Sequence, residues 1–377
     1  MDQTELPPPI WVDTPAALGE MSRNLQKSCC IAVDTESNSL HAYRERVCLI
    51  QFSLDGVDYL VDPLALVDLS PLAPVFANPA IVKIFHAAEY DLICLKRDYH
   101  FAIQNVFDTM LAARILGYPA FGLGAILNTK FGLELDKKYQ KADWAVRPMP
   151  PAMLSYARMD TRYLVQLRQV MEAELAEKGL DEIAREDFQR IAQVEGTAPE
   201  LDEEGFWRLN GARELNPRQA AVLKQLYLAR ENEAKRKDCP PFKISPNDFL
   251  VELAKASPLT RENLLATGLN ERLLLRYCRT WLTAIQSGMH AAEIRAPRPR
   301  KMDVDLKMRV DALKDWRKKT AAGLGVESDV ILPRDVLMAI AERNPTDLDQ
   351  LNQLMQSCPW RYAAYGMQIL KEISPTA

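Results

Sequence analysis

The chain has 377 residues, which is too long for one ordinary hydrophobic core, so two or three domains are expected. Hydrophobic residues make up 48% and charged residues 26%, and no run of eighteen apolar residues occurs, so the sequence predicts a globular protein without a membrane span. The net charge of -4 is unevenly distributed: residues 1–200 have nine more acidic than basic residues, and residues 201–300 have five more basic than acidic ones. An acidic first half argues against nucleic-acid binding unless its carboxylates hold cations.

The N-terminus and the cysteines give a second set of expectations. The first ten residues, MDQTELPPPI, lack a basic region followed by an apolar one, so no secretory signal is indicated. The seven cysteines are odd in number and include no C-x-x-C pair, which argues against a disulfide framework or a zinc site. We therefore expect a cytoplasmic protein with reduced thiols.

The first part of the chain has the pattern of an α/β domain. Short β-branched, apolar runs at 29–33, 47–54, 57–61 and 81–85 predict strands, and Asp55-Gly56 predicts a tight hairpin between the second and third. Helical spacing follows in AAEYDLICLKRD, in DTMLAARIL, and from PPAMLSYARMD to about residue 179. A meander of strands followed by a strand and helices indicates a mixed sheet flanked by helices.

From about residue 203 the strand pattern disappears. Two helical blocks, 203–290 and 302–377, are separated by the proline- and arginine-rich AAEIRAPRPRK, which is typical of an exposed linker. Each block contains a long helix, a polar loop, an apolar-Pro-x-Asp start signal and another helix that ends at a proline, so the pattern indicates a duplicated unit. The predicted domains are 1–200, 203–290 and 302–377.

Three acidic motifs in the first domain are candidates for chemistry. Asp34 and Glu36 lie two apart at the end of a predicted strand and so point to the same side, Asp91 lies in the first turns of a helix, and Asp160 follows Tyr156 by one helical turn. Taken singly, each has a structural alternative: an exposed strand end, an acid favoured by the helix dipole, and a surface stripe. Together, four carboxylates from a strand and two helices form the oxygen-rich set that Mg²⁺ or Mn²⁺ prefers.

These motifs carry a family resemblance. DTE, H-x-x-x-x-D and Y-x-x-x-D, in this order, resemble the DEDD superfamily of 3′→5′ exonucleases, and the tyrosine marks its DEDDy branch. CLIQFS, VDP, FHAAEYDL, FDTMLAARILG and KADWAVRPMP are similar to ribonuclease D, and the helical blocks are similar to its HRDC domains, the second being more divergent. The resemblance covers nearly the whole chain and implies an α/β ribonuclease H-like exonuclease domain followed by two all-α HRDC-like domains.

The resemblance also implies catalytic roles. It assigns Asp34, Glu36, Asp91 and Asp160 to two divalent metal ions, Mg²⁺ or Mn²⁺, which activate a water and stabilise the leaving 3′-oxygen. A free phenol has a pKa of about 10, so Tyr156 is a poor general base at neutral pH, and we expect it to orient the water.

Substrate contacts are less defined by the sequence. Leu40 lies four residues after Glu36, where the resemblance implies a wedge against the terminal base, whereas Arg147 meets a phosphate or caps its own loop. His86 is a candidate substrate residue, although a supporting or core histidine is the stronger expectation. In the first helical block, the basic residues are candidates for nucleic-acid contacts or for a solvated helix face: Arg230, Lys235, Arg236, Lys237 and Lys243.

The predicted function is a metal-dependent 3′→5′ exoribonuclease that releases 5′-nucleotides from RNA with a free 3′-OH end, in 3′ processing of tRNA precursors and small stable RNAs. The alternatives are a DNA 3′→5′ exonuclease and a catalytically silent RNA-binding protein, although no acid is missing. We expect a monomer with no membrane association and no obligate protein partner.

Overall fold

The computed structural model describes residues 7–54, 56–197, 200–297 and 303–374. These residues form two compact units. The first unit contains residues 7–37, 47–197 and 303–374, and the second contains residues 38–46 and 200–297. The last helical segment of the chain therefore belongs with the sheet, a grouping that the sequence did not predict, and the three-domain division remains a prediction.

The first unit is built on a mixed sheet of six strands in the order β1-β4-β3-β2-β5-β6. Strands β2, β3 and β4 form an antiparallel meander, while β1 pairs with β4, and β5 with both β2 and β6, in parallel. The strands are β1 (Ile10–Val12), β2 (Cys30–Ser37), β3 (Val47–Leu54), β4 (Val57–Val61), β5 (Val82–Phe85) and β6 (Val106–Asp108).

The four predicted strands are present, and the mixed sheet flanked by helices is confirmed. The hairpin between β3 and β4 is formed by the pairing of Leu54 with Val57, and Asp55 of the predicted turn lies outside the described residues. Strand β2 is longer than predicted, so Asp34 and Glu36 lie inside it. The sequence did not predict β1 and β6, because three residues at a sheet edge are too few for a periodic pattern.

Among the described residues, nine α-helices lie in the part of the first unit that precedes residue 198. The predicted long helix after Pro150 is divided at Arg158 and Tyr163 into three shorter ones, which places Tyr156 and Asp160 on consecutive helices. The helices are α1 (Pro15–Leu25), α2 (Ala73–Ala77), α3 (Glu89–Tyr99), α4 (Thr109–Ile115), α5 (Leu123–Phe131), α6 (Pro151–Ala157), α7 (Met159–Arg162), α8 (Leu164–Glu177) and α9 (Asp181–Ile191).

The two later segments are helical, as predicted, and repeat one pattern. In each, the first α-helix has 21 residues, the next two have four and ten, and the last is again long. The second unit contains α10 (Pro217–Lys237), α11 (Pro241–Ile244), α12 (Asn247–Ala256), α13 (Arg261–Leu265), α14 (Glu271–Arg276) and α15 (Cys278–His290). The last segment contains α16 (Val304–Leu324), α17 (Ser328–Ile331), α18 (Arg334–Arg343), α19 (Leu348–Leu354) and α20 (Pro359–Ile373). Within the described residues, no helix is both long enough and apolar enough to cross a membrane.

Inside the first unit, the last segment is attached to α9 through a buried arginine. Arg361 of α20 is 0% exposed and forms ion pairs with Glu186 and, at 2.9 Å, with Asp187. Its Nε and Nη2 also donate to the carbonyl of Val330, at 3.1 and 2.8 Å. Glu186 accepts a further hydrogen bond from the backbone N–H of Trp360 at 2.7 Å. The charges in this contact are thus paired and hydrogen-bonded.

Candidate active site

Strand β2 carries the first two acids of the site. Asp34 and Glu36 are two residues apart, so both side chains project from the same face of the sheet. Asp34 pairs across the ladder with Gln51, and Glu36 pairs with Leu49. The pairing register shifts immediately after Glu36, which ends the regular ladder at this point. A central strand thus holds both carboxylates on a rigid backbone.

Helices α6 and α7 bring the third acid to the same place. Helix α7 packs against β2 and β3 and carries Asp160 in its first turn. Asp34, Glu36 and Asp160 each present a carboxylate oxygen, and these three oxygens lie within 4.8 Å of one another. The structure therefore brings together three acids that come from distant parts of the chain.

Asp91 lies next to this trio in the first turn of α3. Its Oδ1 accepts a hydrogen bond from the backbone N–H of Thr35 at 3.1 Å and another from the Thr35 hydroxyl. Thr35 is the residue between Asp34 and Glu36, so these bonds fix α3 to the acidic part of β2. Asp91 is 6% exposed and also raises the pKa of Asp34 by charge repulsion.

The electrostatics of the four acids are unfavourable in the absence of a cation. Burial, and then repulsion from Asp91, Asp160 and Glu36, raises the pKa of Asp34 well above its usual range. Burial with repulsion from Asp160 and Asp91 raises the pKa of Glu36 to about 9, and burial raises the pKa of Asp91 and of Asp160 to about 7. Among the described residues, no lysine or arginine is a main cause of any of these four pKa shifts.

The residues present fit a divalent metal site. Clustered carboxylates without a basic partner repel one another, and a bound cation removes that repulsion. Oxygen donors from Asp and Glu are the ligands that Mg²⁺ and Mn²⁺ prefer. The assignment of Asp34, Glu36, Asp91 and Asp160 as ligands remains a prediction, which the geometry of the acids supports.

Tyr156 stands beside the acids, at the end of α6. Burial, and then the charges of Asp160, Glu36 and Asp34, raise the pKa of its phenol above the usual value, so the group is neutral at pH 7. Its ring contacts the rings of Tyr139 and Trp144, with centroids 5.7 and 6.0 Å away. A cavity of about 370 Å³ opens next to Tyr156 and Asp160, whereas a larger one of about 920 Å³ lies along β6, away from the acids.

Sequence reasoning missed one acid that supports the site. Asp108 is fully buried at the end of β6, and its carboxylate accepts hydrogen bonds from four backbone N–H groups. Two of these belong to Ala87 and Ala88, in the turn before α3, and two belong to the first turn of α4. Asp108 thereby holds the start of the helix that carries Asp91. The Asp-Thr pair at a predicted helix start is a sequence signal for an N-cap of α4. The sequence gives no sign that the same carboxylate also binds the turn before α3.

His86 and Arg147 have partners within the protein. His86 Nδ1 lies 2.9 Å from the Thr109 hydroxyl, and burial lowers the pKa of His86 to about 4, which agrees with the expectation of a supporting histidine. Arg147 donates to both carboxylate oxygens of Asp62 at 2.7 Å and to the carbonyls of Trp144, Val146 and Cys48. All five guanidinium donors are engaged by these acceptors, which favours the loop-capping alternative for Arg147, and its phosphate contact remains a prediction.

The remaining candidate residues lie in the second unit. Leu40 is 40% exposed in the segment 38–46, and its role as a wedge remains a prediction. Arg230 is only 4% exposed and donates to the carbonyl of Ser245 and to Asn247, so it is excluded as a nucleic-acid contact. Lys237 donates to the Tyr277 hydroxyl at 2.7 Å, while the exposed basic residues of this group are Lys235, Arg236 and Lys243.

Comparison with known proteins matches two families to separate parts of the chain. The 3′-5′ exonuclease family matches residues 9–176, and the HRDC domain family matches residues 219–285 and 307–373. The chain is 34% identical over 266 residues to the exosome complex exonuclease RRP6 of Saccharomyces cerevisiae, which covers 66% of this chain and 36% of that protein. It is 31% identical over 258 residues to ribonuclease D of Haemophilus influenzae, which covers 68% of this chain and 64% of that protein.

A solved structure extends the likeness over nearly the whole fold. The crystal structure of Escherichia coli RNase D, described as an exoribonuclease involved in structured RNA processing, matches with a TM-score of 0.72 and 21% identity. The match covers 98% of this chain and 100% of that one, and at this identity it concerns the fold alone. The chain spans about a third of the length of the yeast relative and just under two thirds of the Haemophilus one.

Proposed function

We propose that this chain, a ribonuclease D-like protein in which a 3′-5′ exonuclease domain precedes HRDC domains, is an exoribonuclease. It hydrolyses RNA from a free 3′-OH end and releases 5′-nucleotides. The observation that carries the proposal is the convergence of Asp34, Glu36 and Asp160 within 4.8 Å, with Asp91 and Tyr156 beside them. The names of the relatives, an exonuclease and a ribonuclease, support RNA as the substrate.

The four acids would hold divalent metal ions, and we propose two of them, Mg²⁺ or Mn²⁺. Such ions supply an activated water and stabilise the charge that develops on the leaving 3′-oxygen. The protein's own contribution is geometric: β2 fixes Asp34 and Glu36, Thr35 ties Asp91 to the same strand, and α7 presents Asp160. Tyr156 keeps its proton at neutral pH, so it donates a hydrogen bond that orients the attacking water.

Replacing Tyr156 with phenylalanine should lower the rate of hydrolysis by about 10- to 100-fold while leaving metal binding intact, because the phenol positions a water and supplies no metal ligand. The rate on RNA and the stabilisation by Mn²⁺ should be measured on the same preparation. Tyr139→Phe is the matched control, since it removes a hydroxyl from the neighbouring ring and should leave the rate within about twofold. Loss of Mn²⁺ stabilisation in Tyr156→Phe would contradict this role.

The raised carboxylate pKa values predict how stability depends on pH. In EDTA, the folded acids have pKa values of about 7 to 9, whereas the same acids in the unfolded chain release their protons near pH 4. Protonation of these acids therefore favours the folded state. Its contribution to the free energy of unfolding is complete below pH 4 and is lost as pH rises to 9. The melting temperature in EDTA should therefore fall between about pH 6 and 9.

Mn²⁺ should raise the melting temperature, and by more at about pH 8.5 than at about pH 6, because protons compete with the cation for the same oxygens. Thermal unfolding in EDTA and in Mn²⁺ across this range measures both effects. An equal Mn²⁺ shift at the two pH values would argue against binding at these carboxylates. Asp160→Asn, which removes one of the raised groups, should show a shallower fall in EDTA.

The physiological substrate is a finer part of the proposal. We expect 3′ ends of tRNA precursors and small stable RNAs, and we expect a cytoplasmic monomer that needs no obligate protein partner. Three exposed basic residues of the second unit that the sequence singled out, Lys235, Arg236 and Lys243, would contribute phosphate contacts that raise affinity without taking part in chemistry.

A time course on 5′-labelled single-stranded RNA and DNA of matched sequence, each with a 3′-OH, tests the proposal. The reaction should be run in Mg²⁺, in Mn²⁺ and in EDTA. A ladder that shortens by single nucleotides on RNA, and disappears in EDTA, is the expected result. Equal digestion of DNA would favour a DNA exonuclease, and retained binding without digestion would favour a silent RNA-binding protein.

A further inference from the structure

Gln51 is a buried polar residue without an assigned role, next to the acids. It lies in the middle of β3 and is 0% exposed. Neither its Nε2 nor its Oε1 has a hydrogen-bond partner among the described residues. Ser53, two residues along the same strand and on the same face, does have partners: it donates to Asp58 at 2.7 Å and lies 2.7 Å from the Thr161 hydroxyl. A primary amide buried without partners is unfavourable, so a partner for Gln51 is expected.

The position of Gln51 in the sheet indicates what that partner is. Gln51 is the direct cross-strand neighbour of Asp34 in the antiparallel ladder. Side chains that oppose each other in this way share one face of the sheet, with Cβ atoms about 4.5–5.5 Å apart. The amide and the Asp34 carboxylate therefore start from adjacent positions, and the amide is long enough to reach the carboxylate.

A second unpartnered group lies in the same layer. Trp144 is 1% exposed, and its Nε1 has no partner among the described residues. Its ring belongs to a cluster with Leu49, which precedes Gln51 on β3 by two residues, and with Leu60, which lies across from Gln51 on β4. The Trp144 ring also contacts Tyr156, so this layer adjoins the tyrosine of the site. Donor and acceptor are complementary, because an indole offers only N–H and the Gln51 carbonyl only accepts.

We propose that Gln51 is a positioning residue of the acid cluster: when a cation is bound, its Nε2 donates to the Asp34 carboxylate and its Oε1 accepts from Trp144 Nε1, directly or through one internal water. A neutral amide suits this position because it orients the carboxylate without adding a positive charge that would compete with the cation. The inference rests on the metal-dependent reaction proposed above.

Gln51→Met tests the proposal, since methionine has a similar length and no hydrogen-bonding amide. Partners that orient a metal ligand change metal affinity or activity by about 10- to 100-fold when they are removed, and we expect Mn²⁺ half-saturation and the rate on RNA to weaken by that factor. The apo protein in EDTA should be at least as heat-stable as wild type, because an unpartnered amide has been removed. Ser245→Ala is the matched control: it deletes another buried, unpartnered polar atom, in the second unit, and should leave both quantities within about twofold.

Mn²⁺ affinity and rate within about twofold of wild type in Gln51→Met would overturn the proposal. If Gln51→Met does not fold, Trp144→Phe provides the second test, since it keeps a ring and deletes the indole N–H: weaker Mn²⁺ binding supports the proposal, and unchanged binding overturns it. Mn²⁺ binding is measured by calorimetry or thermal shift without substrate. If the wild-type protein digests neither RNA nor DNA, the proposed function fails, while the Mn²⁺ affinity of the variant still decides the role of Gln51.

Discussion

Asp34→Asn should abolish the hydrolysis of RNA while leaving the protein folded and, in EDTA at about pH 8, more heat-stable than the wild type. Asp34 lies among Asp91, Asp160 and Glu36, so its ionised carboxylate is repelled by three others. Asparagine keeps the shape of the side chain and removes that charge, which relieves the repulsion in the absence of a cation. The same change removes a metal ligand, so we expect the rate to fall by several orders of magnitude.

Activity on labelled RNA and the melting temperature should be measured for the same protein. Asp136→Asn is the matched control, because Asp136 lines the cavity beside Tyr156 but is exposed and outside the group of three converging oxygens. It should leave both the rate and the melting temperature close to those of the wild type. A rate for Asp34→Asn within a few-fold of wild type would make the metal assignment wrong.

Arg361→Ala should destabilise the first unit by about 3–5 kcal/mol, the largest effect on stability that we expect from one substitution. The change leaves the 4%-exposed Glu186 without its ion-pair partner and leaves the carbonyl of Val330 without two donors. Uncompensated buried charge, and not the loss of a favourable bond, accounts for most of this effect. Urea unfolding followed by circular dichroism measures it.

Arg185→Ala is the control for the loss of an arginine near the same contact. Arg185 lies on α9, its side chain is 60% exposed, and it pairs with Glu182, so its removal should cost less than about 1 kcal/mol. The double variant Arg361→Met with Glu186→Gln removes the charges of this pair, leaves Asp187 near the charge of Arg190, and keeps an acceptor at position 186 for the backbone N–H of Trp360. It should recover much of the stability, and equal destabilisation of the double and single variants would show that the buried charge is not the cause.

The acids of the site were predictable because each one occupies a position that the local pattern identifies. Asp34 and Glu36 follow an apolar strand run, Asp91 lies in a first helical turn, and Asp160 lies one turn after Tyr156. The order of the motifs and their resemblance to a known family then indicated that the four acids belong to one site. The structure adds the 4.8 Å convergence, which local patterns do not contain.

The supporting residues were not predictable, because their roles depend on which strands and helices become neighbours. Gln51 matters through its cross-strand register with Asp34, and Asp108 through its bonds to a turn that precedes it in the chain. Arg147 was left undecided because a loop sequence does not reveal that Asp62 and three carbonyls surround it. The strands β1 and β6 were not predicted for a different reason: three residues are too few to show the alternating pattern of a strand.

The buried pair of Arg361 and Glu186 has a consequence for synthesis on the ribosome. The two residues are 175 positions apart, and the acid is made first. At about 5–20 residues per second, roughly 9–35 s pass between the acid and its partner. During that interval α9 carries a carboxylate that will later be enclosed, so hydration of Glu186 should persist until α20 is made. The contact around Glu186 is therefore completed only when α20 is made, and a translational pause after residue 300 would leave this side of α9 open to solvent.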